Sequence, residues 1–193
     1  VLADMDGDNK KELVLYNYTG GAHCCDEIYI YRQVTPSRFQ YAAKLFAGST
    51  QILEDRSMQF DLYESFGYFF TCYACALPET DDGPPLNLST ISIKYRNGKM
   101  QIVPGNKELR SAISDNLGKL SEMGYVPITD ITMHDDGQRR AFALNLAVYY
   151  FSFGKNMVET QKLFHRYYKH PDAKTVWQAF VRNLQEIRTT NNF

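Results

Sequence analysis

The sequence predicts an α+β fold, with an antiparallel β-rich first half followed by a helical second half. Residues 1–105 contain short runs rich in Tyr, Phe, Ile, Val and Thr, which favour extended structure. After Gly105 the apolar residues recur at the spacing of amphipathic helices. We therefore expect two domains, a β-rich domain over residues 1–105 and a helical bundle packed on it over residues 106–193.

Strands account for most of the first half. Apolar and polar side chains alternate at residues 91–94, which is typical of a strand with one buried face. Asn97-Gly98 is the dipeptide that tight type I′ turns prefer, so it predicts a hairpin between two strands. The predicted strands cover residues 12–18, 27–33, 39–45, 58–63, 68–76, 90–96 and 100–103.

Helices account for the second half. Asn106 is a residue type that caps helix N-termini, and apolar side chains recur every three or four residues after it. The next helix is apolar nearly all round, so we expect it to be buried. Pro171 suits the first turn of a last helix. The predicted helices begin after residue 106, cover 139–153 and 157–168, and resume after residue 171.

Composition excludes several classes of protein. The chain has 193 residues, of which 44% are hydrophobic, enough for a substantial core. It carries 21 Lys and Arg against 22 Asp and Glu, a balance that gives no electrostatic reason to expect nucleic acid binding. No apolar run approaches the ~18 residues of a membrane span. The sequence does not identify a partner, whether a protein or an envelope ligand.

The strongest functional motif is the acidic stretch from Asp4 to Glu12. Counted from Asp4, acidic side chains occupy positions 1, 3, 5 and 9, and the backbone carbonyl of Lys10 is at position 7. A hard cation such as Ca²⁺ takes about 6–8 oxygen ligands, which a tight loop with alternating Asp supplies. Asn9, at position 6, is among the few non-Gly residues that tolerate the positive φ needed there. The alternative interpretation is a solvated acidic turn.

The motif is not an EF-hand, because position 12 is Leu15 and a strand rather than a helix follows. It resembles the calcium loop of FG-GAP and VCBS-type repeats, with their pattern Asp-x-Asp-Gly-Asp-Gly-x-x-Asp/Glu before a hydrophobic strand. The resemblance covers about residues 2–18. The Gly-Gly-Ala-His-Cys-Cys segment that follows is similar to one in exported bacterial proteins. Only one repeat is found, so the β-propeller of that family is not implied.

The resemblance implies a Ca²⁺ site in a periplasmic or secreted protein that is made with a signal peptide. Val1 opens the chain without an initiator Met, so we expect a processed or trimmed piece. We also expect a structural ion that fixes the start of the strand, in a closed cage without a position for substrate. The implied ligands are the side chains of Asp4, Asp6, Asp8 and Glu12 and the carbonyl of Lys10.

The four cysteines form two clusters, Cys24-Cys25 and Cys72-x-x-Cys75. Residues one or three apart on a strand face opposite sides, so pairing within a cluster would be awkward if both clusters are strands. We therefore favour two disulfides that join Cys24 and Cys25 to Cys72 and Cys75. Free buried thiols, a redox pair, and zinc held by Cys72 and Cys75 with Cys24, Cys25 or His23 remain as alternatives.

The sequence contains none of the common catalytic motifs. The prediction is a non-catalytic binding or accessory protein outside the cytosol, with a structural calcium site and two disulfides. The first alternative is a cell-envelope hydrolase with a site near His23 and Tyr18, although a structural role for His23 is the simpler interpretation. The second is a zinc-stabilised interaction module.

Overall fold

The computed structural model describes residues 1–21, 24–47, 50–75, 78, 86–127, 137–191 and 193. Over these residues the α+β prediction is confirmed, since antiparallel sheets occupy the first half and the long helices occupy the second. None of the helices in the described part of the chain is both long enough and apolar enough to cross a bilayer.

The first sheet has four antiparallel strands in the order β1-β2-β3-β4. Leu2 pairs with Leu13 and Ala3 pairs with Glu12, so the two ends of the acidic loop are held side by side. The buried positions alternate along the strands, as expected of a sheet with one buried face. The strands are β1 (Leu2–Ala3), β2 (Glu12–Gly21), β3 (Cys24–Thr35) and β4 (Arg38–Ala47).

The second sheet has four antiparallel strands in the order β5-β6-β7-β8. The hairpin predicted at Asn97-Gly98 joins β7 to β8, and both turn residues have the positive φ (52° and 79°) that a type I′ turn requires. Strands β1 and β5 were not predicted, because two or three residues are too few to show a period. The strands are β5 (Thr50–Ile52), β6 (Ser57–Asp61), β7 (Thr90–Arg96) and β8 (Lys99–Ile102).

The four long helices match the predicted order, whereas a one-turn helix at Tyr63–Phe66 was not predicted. Asn106 caps its helix as expected, with its Oδ1 accepting from the backbone N–H of Leu109 at 2.8 Å. In the helix Gln138–Ser152, every residue except Tyr149 is buried. This confirms the prediction that the helix over residues 139–153 has no exposed face. The helices are α1 (Tyr63–Phe66), α2 (Lys107–Glu122), α3 (Gln138–Ser152), α4 (Met157–Tyr167) and α5 (Ala173–Thr190).

The strand predicted over residues 68–76 is wrong over residues 68–75, the part of it that the structure describes. Helix α1 ends at Phe66, and the chain then turns, with Phe70 in the left-handed region at φ 54°. The cause is Arg140 of α3, a fully buried residue whose guanidinium donates to four backbone carbonyls of this segment. Carbonyls of a strand point alternately to opposite sides, so a strand could not gather them around one cation. The acceptors are the carbonyls of Gly67, Cys72, Tyr73 and Cys75.

The chain divides into two compact units that are not continuous in sequence. The first unit comprises residues 1–64, 90–103 and 185–193, and contains both sheets. The second comprises residues 65–89 and 104–184. The predicted boundary at residue 105 lies next to one of these divisions, but segments 65–89 and 185–193 do not follow the predicted two-part arrangement.

Candidate metal site

The acidic loop connects β1 to β2 in the first unit. Carboxylate oxygens of Asp4, Asp6 and Asp8 all lie within 4.8 Å of one another, close enough to share one ion. Asp4 and Asp6 are half-buried, whereas Asp8 is exposed. The structure thus brings together three of the five ligands that the resemblance implies.

Backbone hydrogen bonds fix the direction of these side chains. The N–H of Gly7 donates to Asp4 Oδ1 (2.7 Å), and the N–H of Lys10 donates to Asp8 Oδ1 (2.8 Å). Asn9 has φ 67°, so the positive φ expected at position 6 of the loop is found. The chain therefore bends so that one carboxylate oxygen from each aspartate lies within 4.8 Å of the others.

Two basic side chains, Arg56 and Lys10, lie beside this acidic group. Arg56 Nη2 is 3.5 Å from Asp4 Oδ2, and Lys10 Nζ is 3.9 Å from Asp8 Oδ2. Both basic side chains are more than half exposed, so these pairs offset little of the repulsion among the three carboxylates. A divalent ion among the oxygens would offset that repulsion more directly.

Glu12 occupies a different environment from the three aspartates. It is 3% exposed, and its Oε2 accepts a hydrogen bond from the backbone N–H of Met5 at 2.9 Å. Burial raises the pKa of this carboxyl group, and the nearby charges of Asp6 and Asp8 raise it further. The buried carboxylate faces the loop that carries the aspartates, where a positive ion would stabilise its charged form.

A cavity of about 380 Å³ opens beside the loop. Its wall includes Tyr95 of β7, which is only 1% exposed and whose hydroxyl group has no hydrogen-bond partner among the described residues. Sequence reasoning missed Tyr95, because a Tyr in an alternating strand before a hairpin gives no functional signal. The lining residues are Asp6, Asp8, Lys10, Glu12, Arg32, Gln33, Val34, Tyr95, Asn97 and Gly98.

The donor set fits a hard cation. Its charged ligands are carboxylate oxygens, the donors that Ca²⁺ and Mg²⁺ prefer, and the loop contains no imidazole or thiolate. The orphaned hydroxyl group of Tyr95 in the same cavity indicates that a polar partner belongs there.

The favoured disulfide connectivity is wrong. Cys72 bonds to Cys75, with Cα atoms 5.1 Å apart, and neither is available to Cys24 or Cys25. The prediction assumed a strand, but the turn brings both residues to the same side, and the N–H of Cys75 donates to the carbonyl of Cys72. The disulfide also leaves no Cys72 or Cys75 thiolate for the zinc alternative.

Two sequence-predicted features cannot be placed. His23 lies outside the described residues, and so do the side chains of Cys24 and Cys25. The chain matches no protein-family model, no curated protein and no solved structure.

Proposed function

We propose that this chain is a non-catalytic binding or accessory protein of the periplasm or the extracellular space, stabilised by Ca²⁺ at the acidic loop. The observation that carries the proposal is the convergence of Asp4, Asp6 and Asp8 within 4.8 Å at the connection between β1 and β2. Three carboxylates so close together favour a bound cation over three separately solvated charges.

Calcium suits the loop better than the other common divalent ions. Zinc sites are built mainly from thiolates and imidazoles, which the loop does not contain. Magnesium requires near-ideal octahedral geometry and is bound through one or two carboxylates with several waters. Calcium accepts larger and less regular oxygen cages, such as three aspartates with further oxygens from the loop.

The role of the ion is structural. Strand β1 has only two residues, and its pairing with β2 alone gives it little stability. An ion held by the intervening loop would fix the two strands at the paired register. Because unfolded chains do not present such a site, bound Ca²⁺ would add to the stability of the folded state.

The disulfide and the proposed ion together support the proposed compartment. Disulfides persist in oxidising environments outside the cytosol. The Cys72–Cys75 bond supports such an environment, and weak calcium sites are filled where calcium is abundant. These two features favour an exported protein over a cytosolic one.

The test is native mass spectrometry of the chain and of Asp6→Ala, with and without EDTA. We expect one calcium ion on the wild-type chain, its removal by EDTA, and no ion on the variant. In calcium the variant should melt several degrees lower than the wild-type chain, and in excess EDTA the two should melt alike.

Asp115→Ala is the matched control, because Asp115 is an exposed acidic residue of α2 in the other unit. It should retain the ion and the response to calcium. A wild-type chain without bound calcium at millimolar concentrations, or equal destabilisation of Asp6→Ala in calcium and in EDTA, would contradict the proposal.

A further inference from the structure

Tyr95 has an unusual position among the residues that line the cavity. Its side chain is 99% buried, yet its hydroxyl group has no hydrogen-bond partner in the described part of the chain. Buried hydroxyl groups in folded proteins are almost always hydrogen-bonded, to the protein or to ordered water. The unsatisfied hydroxyl therefore indicates a partner that enters from the cavity.

The hydroxyl group lies beside the β7–β8 turn, and the cavity that this turn lines is also lined by the acidic loop. A Cβ placed on Gly98 would be 4.0 Å from Tyr95 Oη and 3.8 Å from Arg32 Nη1, and Gly98 lines the cavity with Asp6 and Asp8. The pKa of Tyr95 is raised to about 12, first by burial and then by the charge of Glu12 and of the aspartates. The phenol thus remains protonated beside a strongly negative loop.

The loop by itself leaves room in the coordination shell of an ion. Three carboxylates converge there, whereas Ca²⁺ takes about 6–8 oxygens and commonly includes water among them. The adjoining cavity of about 380 Å³ is large enough for several waters, each of which occupies about 30 Å³ in the liquid.

We propose that Tyr95 is a positioning residue of the calcium site, whose hydroxyl group hydrogen-bonds a water molecule that the ion holds on its cavity side. This inference rests on the proposed function. It replaces the expected closed cage with a site that has one exchangeable position. An oxygen ligand from solution, such as a carboxylate or hydroxyl group, would enter at that position.

The first test counts the water molecules on the ion and needs no variant. Tb³⁺ substitutes for Ca²⁺ in oxygen sites, and the difference between its luminescence decay rates in H₂O and in D₂O reports the number of bound waters. We expect at least one water on Tb³⁺ bound to the wild-type chain. A bound ion without water would overturn the inference.

The second test is calcium titration calorimetry of Tyr95→Phe, which removes only the hydroxyl group. We expect calcium binding about five-fold weaker than in the wild-type chain, the effect of losing one hydrogen bond. The matched control is Tyr18→Phe, because Tyr18 is 64% exposed and lies at the opposite end of β2 from the loop. The control should bind calcium as the wild-type chain does.

Circular dichroism and melting in EDTA establish that both variants fold, so that a change in affinity reports the site. Calcium affinity of Tyr95→Phe equal to that of the wild-type chain would overturn the inference and leave the proposed function intact. A wild-type chain that binds neither Ca²⁺ nor Tb³⁺ would overturn both.

Discussion

At the scale of single residues, the buried polar groups are the ones whose hydrogen-bond partners indicate what surrounds them. Glu12, Tyr95, Arg140 and His170 all place polar atoms where water has little access. In each case the pairing of the group, or its lack of a partner, indicates what the surroundings supply. Exposed residues of the same types, such as His165, give no such indication, because water can hydrogen-bond their polar atoms.

His170 makes stability depend on pH. Burial lowers its pKa from the ordinary value of 6.5, the positive charge of Arg139 lowers it further, and Asp172 opposes the change. Below pH 6.5 the unfolded chain therefore binds this proton more readily than the folded chain does. The free energy of unfolding must then fall as the pH drops from 6.5 towards the folded-state pKa.

We expect His170→Gln to lose less stability than the wild-type chain between pH 7.5 and pH 5.5, as measured by urea midpoints. The matched control is His165→Gln, because His165 is an exposed histidine of α4. The control should follow the wild-type curve. Parallel pH curves for the wild-type chain and His170→Gln would show that this histidine titrates alike in both states.

At the scale of elements, a disulfide and the hydrogen bonds of one arginine together stabilise the turn over residues 67–75. The Cys72–Cys75 disulfide closes it covalently, and Arg140 binds four of its carbonyls at 2.6–3.1 Å. Each of the two holds the backbone in the shape that the other needs, so their contributions should not be additive. The chain-entropy estimate for so short a loop is only about 2 kcal/mol.

A double-mutant cycle tests this coupling. We expect the Cys72→Ser/Cys75→Ser double variant and Arg140→Lys each to lower the free energy of unfolding, and the combination to deviate from their sum by more than about 0.5 kcal/mol. The control replaces Arg140→Lys by Arg166→Lys, since Arg166 is exposed on α4. That second cycle should be additive. Additivity in the first cycle would mean that the disulfide and Arg140 act independently.

The sequence predicts the features that depend on neighbouring residues, but it does not predict the turn over residues 67–75. Strand β7 and its hairpin follow from local rules, because alternation and Asn97-Gly98 act within a few residues. The N-cap at Asn106 and the positive φ at Asn9 are local in the same sense. The segment predicted as a strand, residues 68–76, has the composition of a strand, but Arg140, more than sixty positions away, binds carbonyls that hold residues 67–75 in a turn.

The candidate site likewise has residues that the sequence predicts and residues that it does not. The aspartates are recognised from the sequence because their spacing within one loop is the pattern that oxygen coordination requires. Tyr95 and Arg32 are not recognised, since they reach the cavity from β7 and β3 only after the sheets form. No spacing rule connects them to the loop.

At the scale of the whole molecule, each compact unit is assembled from distant segments. Asn191 illustrates this for the first unit, because its Oδ1 accepts the backbone N–H of Phe46 at 2.7 Å across 145 positions. Its Nδ2 donates to the carbonyl of Ile187 at 3.0 Å. The side chain is only 5% exposed, so both bonds are shielded from water.

We expect Asn191→Ala to lower the free energy of unfolding by about 1–3 kcal/mol, because the N–H of Phe46 loses its acceptor. Urea denaturation followed by circular dichroism would measure the loss. The matched control is Thr190→Ala, an exposed neighbour on α5, which should change stability by less than about 0.5 kcal/mol. An equal effect of the two substitutions would show that the bond to Phe46 contributes nothing.

The discontinuity of the first unit determines when that unit can complete its structure. Residues 1–64 leave the ribosome well before residues 185–193, which belong to the same unit. More than a hundred residues separate the early strands from residues 185–193, the last segment of their unit. This unit therefore completes its structure only when residues 185–193 are available, and folding that depends on contacts between distant segments is slow.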